Sequence, residues 1–145
     1  MGGNTVSVYL YFDGACEPCN PGGVATYGFV VYLLDVKVHE SSGVVGAGMF
    51  GNDVSNNVAE YTAMIMGMQW LLNNFGKDLK LVVRGDSQLT IYQMLGFYQV
   101  KAPRIAPLYA TAKGLAAKFN KISFEWIPRE KNREADEKSR EAYVN

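Results

Sequence analysis

The chain has 145 residues with 14 Lys and Arg against 14 Asp and Glu, and it is 48% hydrophobic and 12% aromatic, the profile of one soluble globular domain spanning 1–145. A chain of this size buries roughly 70% of its unfolded surface and needs no disulfide or metal staple; its longest apolar stretch, Val24 to Leu34, is broken by Thr26 and Gly28 and falls short of the roughly 20 residues of a membrane span. The start, Met-Gly-Gly-Asn-Thr-Val, has no basic segment leading into an apolar core and no Ser or Thr at position 6, so a cytoplasmic protein is expected.

Thr5 to Asp13 alternates Val6, Val8, Leu10 and Phe12 with polar and tyrosyl neighbours, which predicts a strand. Asp13 to Gly23 (DGACEPCNPGG) reads as turn chemistry, and Val24 to Val38 and Glu40 to Gly51 as two further strands of an antiparallel meander. Tyr61, Met64, Ile65, Met68, Leu71 and Leu72 recur at helical spacing within a helix expected over Asn57 to Asn74. Leu79 to Val83 suits a buried strand, Ser87 to Leu95 and Pro103 to Phe119 suit helices, and Ile122 to Ile127 alternates as a last strand. Asn132 is placed to cap a final helix running through Tyr143. The order βββαβααβα predicts an α/β fold with a five-stranded mixed sheet, a three-strand meander plus two further strands, flanked by helices.

The neutral total hides an asymmetry. Residues 1–76 hold one basic residue, Lys37, and six acids, whereas the remainder holds 13 basic residues and eight acids. Between Ser87 and Phe124 there is no acid, and Lys101, Arg104, Lys113, Lys118 and Lys121 are interspersed with aromatic residues, a pattern that suits a phosphate backbone or simply a solvated helix face.

Four carboxylates occupy positions from which they can converge. Asp13 ends the first predicted strand, Asp86 follows the fourth, Glu60 lies in the first turn of the first helix and Asp136 near the start of the last. If the first and fourth strands are adjacent and parallel, Asp13 and Asp86 share the sheet's carboxyl edge, where open α/β folds bind ligands. Clustered carboxylates favour divalent cations. Each acid also has an ordinary explanation: a turn at Asp13-Gly14, a helix cap at Asp86, a capping box closed by Glu60, and an i, i+4 pair between Asp136 and Arg140.

YFDGACEPCNPGG, NNVAEYTA, VVRGDSQL and WIPREKNREAD resemble, in this order, the four sequence blocks of type 1 ribonuclease H, and most closely its archaeal-type branch. The resemblance runs from about Val6 to Arg140 and implies a ribonuclease H-like fold. It further implies an endoribonuclease that hydrolyses the RNA strand of RNA–DNA hybrids by two-metal catalysis, leaving 5′-phosphate and 3′-hydroxyl ends. The family's metal ligands fall on Asp13, Glu60, Asp86 and Asp136, which would hold two Mg²⁺ ions about 4 Å apart, with Mn²⁺ as a substitute. Family positions that contact substrate fall on Gly14 and Cys16 through the backbone, and on Asn57 and Gln88 through side chains that can read the 2′-hydroxyl. Asn56 falls on a position that contacts the DNA strand. The resemblance also implies a monomer without an obligate protein partner.

The chain departs from the family pattern in two places. Many members carry a histidine before the last carboxylate; here Arg129 stands in a shortened loop, and the only histidine is His39 in the meander. An arginine stays protonated, so its expected role is to orient phosphate or stabilise developing charge. Gly96 to Arg104 (GFYQVKAPR) is too short for the basic protrusion of some members, leaving substrate grip to Lys101, Arg104 and a Lys113/Lys118 face. Cys16 and Cys19 form one C-x-x-C pair, too few ligands for structural zinc and not at a helix start as redox catalysis needs. A local disulfide stays open. Double-stranded RNA is a second candidate duplex. The alternative reading is a non-catalytic module binding hybrids or double-stranded RNA; a glycosidase using Asp13 and Glu60 would need no metal.

Overall fold

The structure, a computed structural model, describes residues 6–18, 20, 23–47, 55–141 and 143. The chain order is β1 (Val6–Glu17), β2 (Val24–Leu33), β3 (Val36–Ala47), α1 (Asn56–Asn74), β4 (Leu79–Gly85), α2 (Gln88–Met94), α3 (Ala106–Ala116), β5 (Lys121–Trp126), a 3-10 turn (Arg129–Lys131) and α4 (Arg133–Glu141). The expected element order therefore holds. The sheet runs β3-β2-β1-β4-β5, with β1 antiparallel to β2 and parallel to β4, and β4 parallel to β5.

Strand β1 is longer than its alternation predicts, because the segment read as a turn continues as strand to Glu17, paired with Val24. Asp13 therefore lies within β1. What ends there is the pairing with β4, whose last register position is Phe12 opposite Gly85. The β2–β3 reversal comes earlier than expected, at Leu34 and Asp35, with Leu34 in the left-handed region at φ 55°. A leucine there gives no turn signal. His39 consequently lies on β3, opposite Val31. Helix α3 is shorter than its apolar pattern suggests, and Arg104 and Ile105 precede it. Cys19 and residues 48–51 of the expected third strand lie outside the described residues.

One face of the sheet carries Val8, Leu10 and Phe12 against Tyr61, Met64, Met68 and Leu71 of α1, all essentially inaccessible to solvent. This is the main core, and α2 and α3 close its flank through Ile91, Met94, Ala112 and Leu115. Helix α1 starts where Ser55 Oγ accepts the Val58 N–H at 3.3 Å. With the cap at Ser55, Glu60 falls beyond the capping-box position and points elsewhere.

Two glycines set how closely helices approach the sheet. A Cβ on Gly14 would lie 2.4 Å from the α1 backbone at Ala59 and Glu60, and one on Gly28 would lie 2.3 Å from the Ser139 nitrogen of α4. Gly28 sits opposite Asp13 in the β1–β2 register, and neighbouring strand residues face opposite ways, so α1 and α4 cover opposite faces. Gly28→Ala is expected to destabilise the protein by about 1–3 kcal/mol, because α4 backbone must move. Gly114→Ala, with nothing within 4 Å of the added carbon, should be neutral or stabilise by up to about 1 kcal/mol. Urea denaturation of the two variants checks the contrast.

Candidate active site

Asp13 protrudes from β1 just past the last residue paired with β4, so no neighbouring strand covers it on that side. Asp86 follows Gly85 at the carboxyl end of β4, and Ser87, not Asp86, caps α2 by accepting the Thr90 N–H. Glu60 arrives from α1 on the opposite face, drawn in by the close approach at Gly14. Asp13, Glu60 and Asp86 each offer an oxygen, and these oxygens lie within 4.8 Å of one another. Asp13 and Glu60 are buried, each 6% exposed.

Their electrostatics follow from that geometry. Burial, reinforced by Asp86 and Asp136, pushes the Asp13 carboxyl up from 3.8 to about 8. Burial raises Glu60 well above the usual carboxylate range, with Asp13 and Asp86 adding repulsion and the Gly14 amide opposing it. Asp86 is raised by burial too, while the neighbouring Asn132 amide and the Arg129 charge work the other way. The Gly14 N–H donates to Asp13 Oδ1 at 2.9 Å, whereas buried Glu60 Oε2 has no hydrogen-bond partner. Hard oxygen donors, mutual repulsion and an orphaned buried acceptor fit a divalent cation.

Asp136 stands beside this trio. It takes the expected i, i+4 pair with Arg140 at 3.2 Å, and Arg140 also reaches Glu17 at 3.0 Å. A cleft of about 470 Å³ brings together Asp13, Gly14, Cys16, Asn56, Asn57, Glu60, Asp86, Arg129 and Asp136, with Ser87, Glu17 and Arg140 also lining it. The Asn56 N–H donates to Asn20 Oδ1 at 2.9 Å, tying the start of α1 to the β1–β2 connection.

Gln88, Lys101 and Arg104 are not among the cleft's lining residues. Gln88 opens α2 one residue beyond Ser87, and Lys101 and Arg104 lie on the exposed α2–α3 connection. Lys113 turns to the Met94 carbonyl at 3.5 Å. The cations that do line the cleft are Arg129 of the last block and Arg140 of α4. His39 stacks on Trp70 at 4.0 Å and 9°, and it too is not among the residues lining the cleft. Asn132, expected to cap the last helix, is 1% exposed; its side-chain nitrogen donates to the Phe12 carbonyl and its Oδ1 caps nothing. Nothing in an asparagine ahead of a helix signals that.

A larger cleft of about 670 Å³ lies beside α4, lined by Tyr9, Tyr11, Tyr32 and Arg84 among others. Its Arg84 is already bonded to Glu125 and Tyr11, and its Glu134 to Lys37 and Tyr32. Its other acids, Asp35 and Glu130, are exposed, whereas the smaller cleft gathers buried ones, so the smaller cleft is the better candidate for chemistry.

Residues 13–142 match the family model described as reverse transcriptase-like. A bifunctional protein of Mycobacterium tuberculosis is 35% identical over 139 residues, covering 94% of this chain but 35% of its own length. The N-terminal ribonuclease H domain of that organism's protein, solved as a fusion, superposes with a TM-score of 0.85 at 34% identity over 97% of this chain and 95% of the other. The ribonuclease HI of Halobacterium salinarum is 34% identical over 93% of this chain and 63% of its own length. The crystal structure of ribonuclease H1 from the same archaeon superposes at 0.84 and 33% identity, over 95% of this chain and 98% of that one. A ribonuclease H1 isolated from compost, solved in complex with an RNA/DNA hybrid, superposes at 0.82 and 36% identity over 93% and 95% of the two chains. With this coverage, the shared strand order and the four sequence blocks in place, the chain belongs to the type 1 ribonuclease H family.

Proposed function

We propose that this protein is a metal-dependent endoribonuclease that cuts the RNA strand of RNA–DNA hybrids, and that Asp13, Glu60, Asp86 and Asp136 hold its metal. The observation that carries this reading is the trio of carboxylate oxygens within 4.8 Å of one another on the floor of an open cleft. A module that only bound nucleic acid would gain nothing from buried acids facing a polyanion.

When bound, two Mg²⁺ ions, or Mn²⁺ in their place, supply a water nucleophile and Lewis-acid stabilisation of the leaving oxygen. Asp13, adjacent to both Glu60 and Asp86, would hold the cation through its deprotonated carboxylate. Glu60 brings a buried oxygen with no other partner. Asn57 and the Gly14 and Cys16 backbone stand along the cleft to read the 2′-hydroxyl, with Asn56 towards the DNA strand; Gln88 reaches the duplex from beyond the cleft. Lys101 and Arg104, further out, act on duplex affinity through phosphates. Arg129 cannot take a proton at neutral pH, so it stabilises charge building on the phosphate. Attack at phosphorus with departure of the 3′ oxygen leaves 3′-hydroxyl and 5′-phosphate ends. The enzyme acts as a cytoplasmic monomer, and double-stranded RNA is a secondary substrate to be compared with the hybrid.

A labelled hybrid incubated with Mg²⁺ should be cleaved in its RNA strand and left intact with EDTA. Asp13→Asn should abolish hydrolysis while hybrid binding persists, since it removes the central ligand and one charge facing the phosphates. Cleavage by Asp13→Asn at a rate near wild type would defeat the reading. Arg129→Ala should lower turnover by one to two decades, about 1.4–2.8 kcal/mol, with little change in apparent affinity, and Arg129→Lys should recover only part. Single-turnover kinetics separate the two effects.

The raised Asp13 carboxyl gives a pH dependence of known sign. A proton held more tightly in the folded state stabilises it fully below the ordinary value of 3.8, and that stability is lost as pH rises to about 8. Metal-free protein should therefore melt at a lower temperature at pH 8 than at pH 5. Mg²⁺ should raise the melting temperature more at pH 8 than at pH 5, and Asp13→Asn should flatten the metal-free profile. Scanning calorimetry across that range, with and without Mg²⁺, makes the comparison.

A further inference from the structure

Asn132 sits between the 3-10 turn and α4, 1% exposed, with hydrogen bonds to the segments that carry Asp13, Arg129 and Asp136. Its Nδ2 donates to the Phe12 carbonyl at 2.9 Å, at the residue before Asp13 and at the point where β1 loses β4 as a neighbour. The same amide lies beside Asp86 and favours its ionised carboxylate. Its backbone carbonyl accepts the Asp136 N–H at 3.1 Å, and its own N–H closes the turn on the Arg129 carbonyl at 2.9 Å. The groups this amide faces, the bonded Phe12 carbonyl and the nearby Asp86 carboxylate, are both acceptors. A primary amide nitrogen has two N–H groups for them; a carboxylate in its place would have none and would add repulsion, and an alkyl group would leave both acceptors unmet.

We infer that Asn132 is a positioning residue of this site, fixing Asp13, Asp86, Asp136 and Arg129 relative to one another through one buried amide and its own peptide groups. The inference rests on the metal-dependent reading of the carboxylates, whose spacing it explains. Asn132 touches no substrate; it acts by limiting how far the β1 and β4 carboxylates can separate under their mutual repulsion, so that a cation finds them already in place.

The test is a Mn²⁺ titration by calorimetry of nucleic-acid-free wild-type, Asn132→Ala, Asp86→Asn and double-variant protein, with hybrid cleavage measured in parallel. Asn132→Ala should weaken Mn²⁺ binding roughly 10- to 100-fold. It should lower kcat for the hybrid with KM changed by less than about 2-fold, and part of the turnover should return at higher metal concentration. If the amide acts through Asp86, its removal should cost much less affinity in the Asp86→Asn background than in the wild type. Folded Asn132→Ala with unchanged Mn²⁺ affinity, or with losses fully additive to those of Asp86→Asn, would overturn the inference.

Should Asn132→Ala fail to fold, the wild-type protein still decides by NMR. The Asn132 side-chain amide resonances should shift on Mg²⁺ titration and should not do so in Asp86→Asn; resonances unmoved at saturating Mg²⁺ would refute the role. Wild-type protein that binds Mn²⁺ but leaves hybrid uncut would defeat the proposed activity alone, and the metal titrations would still judge Asn132.

Discussion

Carboxylates held with oxygens within 4.8 Å of one another repel, and most of what is distinctive in this fold serves to keep them there. At an effective dielectric of about 20, two unit charges at that distance cost on the order of 3 kcal/mol. Set against a total stability of roughly 5–15 kcal/mol, three mutually close ionised acids would consume much of what the fold has to offer. The protein resolves this by leaving the acids partly protonated when no cation is present, as the Asp13 carboxyl at about 8 indicates. A proton and a divalent cation are alternative occupants of one electrostatic well.

Holding acids against repulsion demands rigidity from the surrounding chain. Leu10 and Phe12 lock β1 into the core immediately before Asp13, packed against Tyr61, Met64 and Met68 of α1. Gly14 then removes the side chain that would push α1 away and carry Glu60 out of range. Gly28 does the same for α4 on the other face, keeping Asp136 near. Asn132 holds the end of β1 where its ladder with β4 stops. The main apolar core and the polar site thus meet along β1, and a disturbance to either face of that strand reaches the carboxylates.

The charge asymmetry of the chain takes on a different meaning in three dimensions. Three acids of the first half end in the cleft: Asp13 and Glu60, which are buried, and Glu17, which is paired with Arg140. The cations lining the cleft are Arg129 of the last block and Arg140 of α4, while Lys101 and Arg104 of the acid-free stretch sit apart on the α2–α3 connection. Arg140 is held by Asp136 and Glu17, whereas Arg129 acts electrostatically on Asp86.

The order of elements, the identity of the four acids and the family were legible in the sequence, because alternation, helical spacing and the four blocks are local patterns that survive without tertiary context. So was the pairing of Asp136 with Arg140, a consequence of helical geometry alone. The continuation of β1 through Asp13 to Glu17 was not, since DGACE has turn chemistry and only pairing with β2 makes it strand. The Leu34 reversal was hidden because leucine is an unusual occupant of the left-handed region. Whether Lys101, Arg104 or Arg129 meets the cleft, and that Asn132 bonds inward instead of capping a helix, depend on which surfaces face one another after folding. Sequence spacing carries no record of such contacts between distant segments; the parallel pairing of β1 with β4 and the close packing at Gly14 and Gly28 decide them.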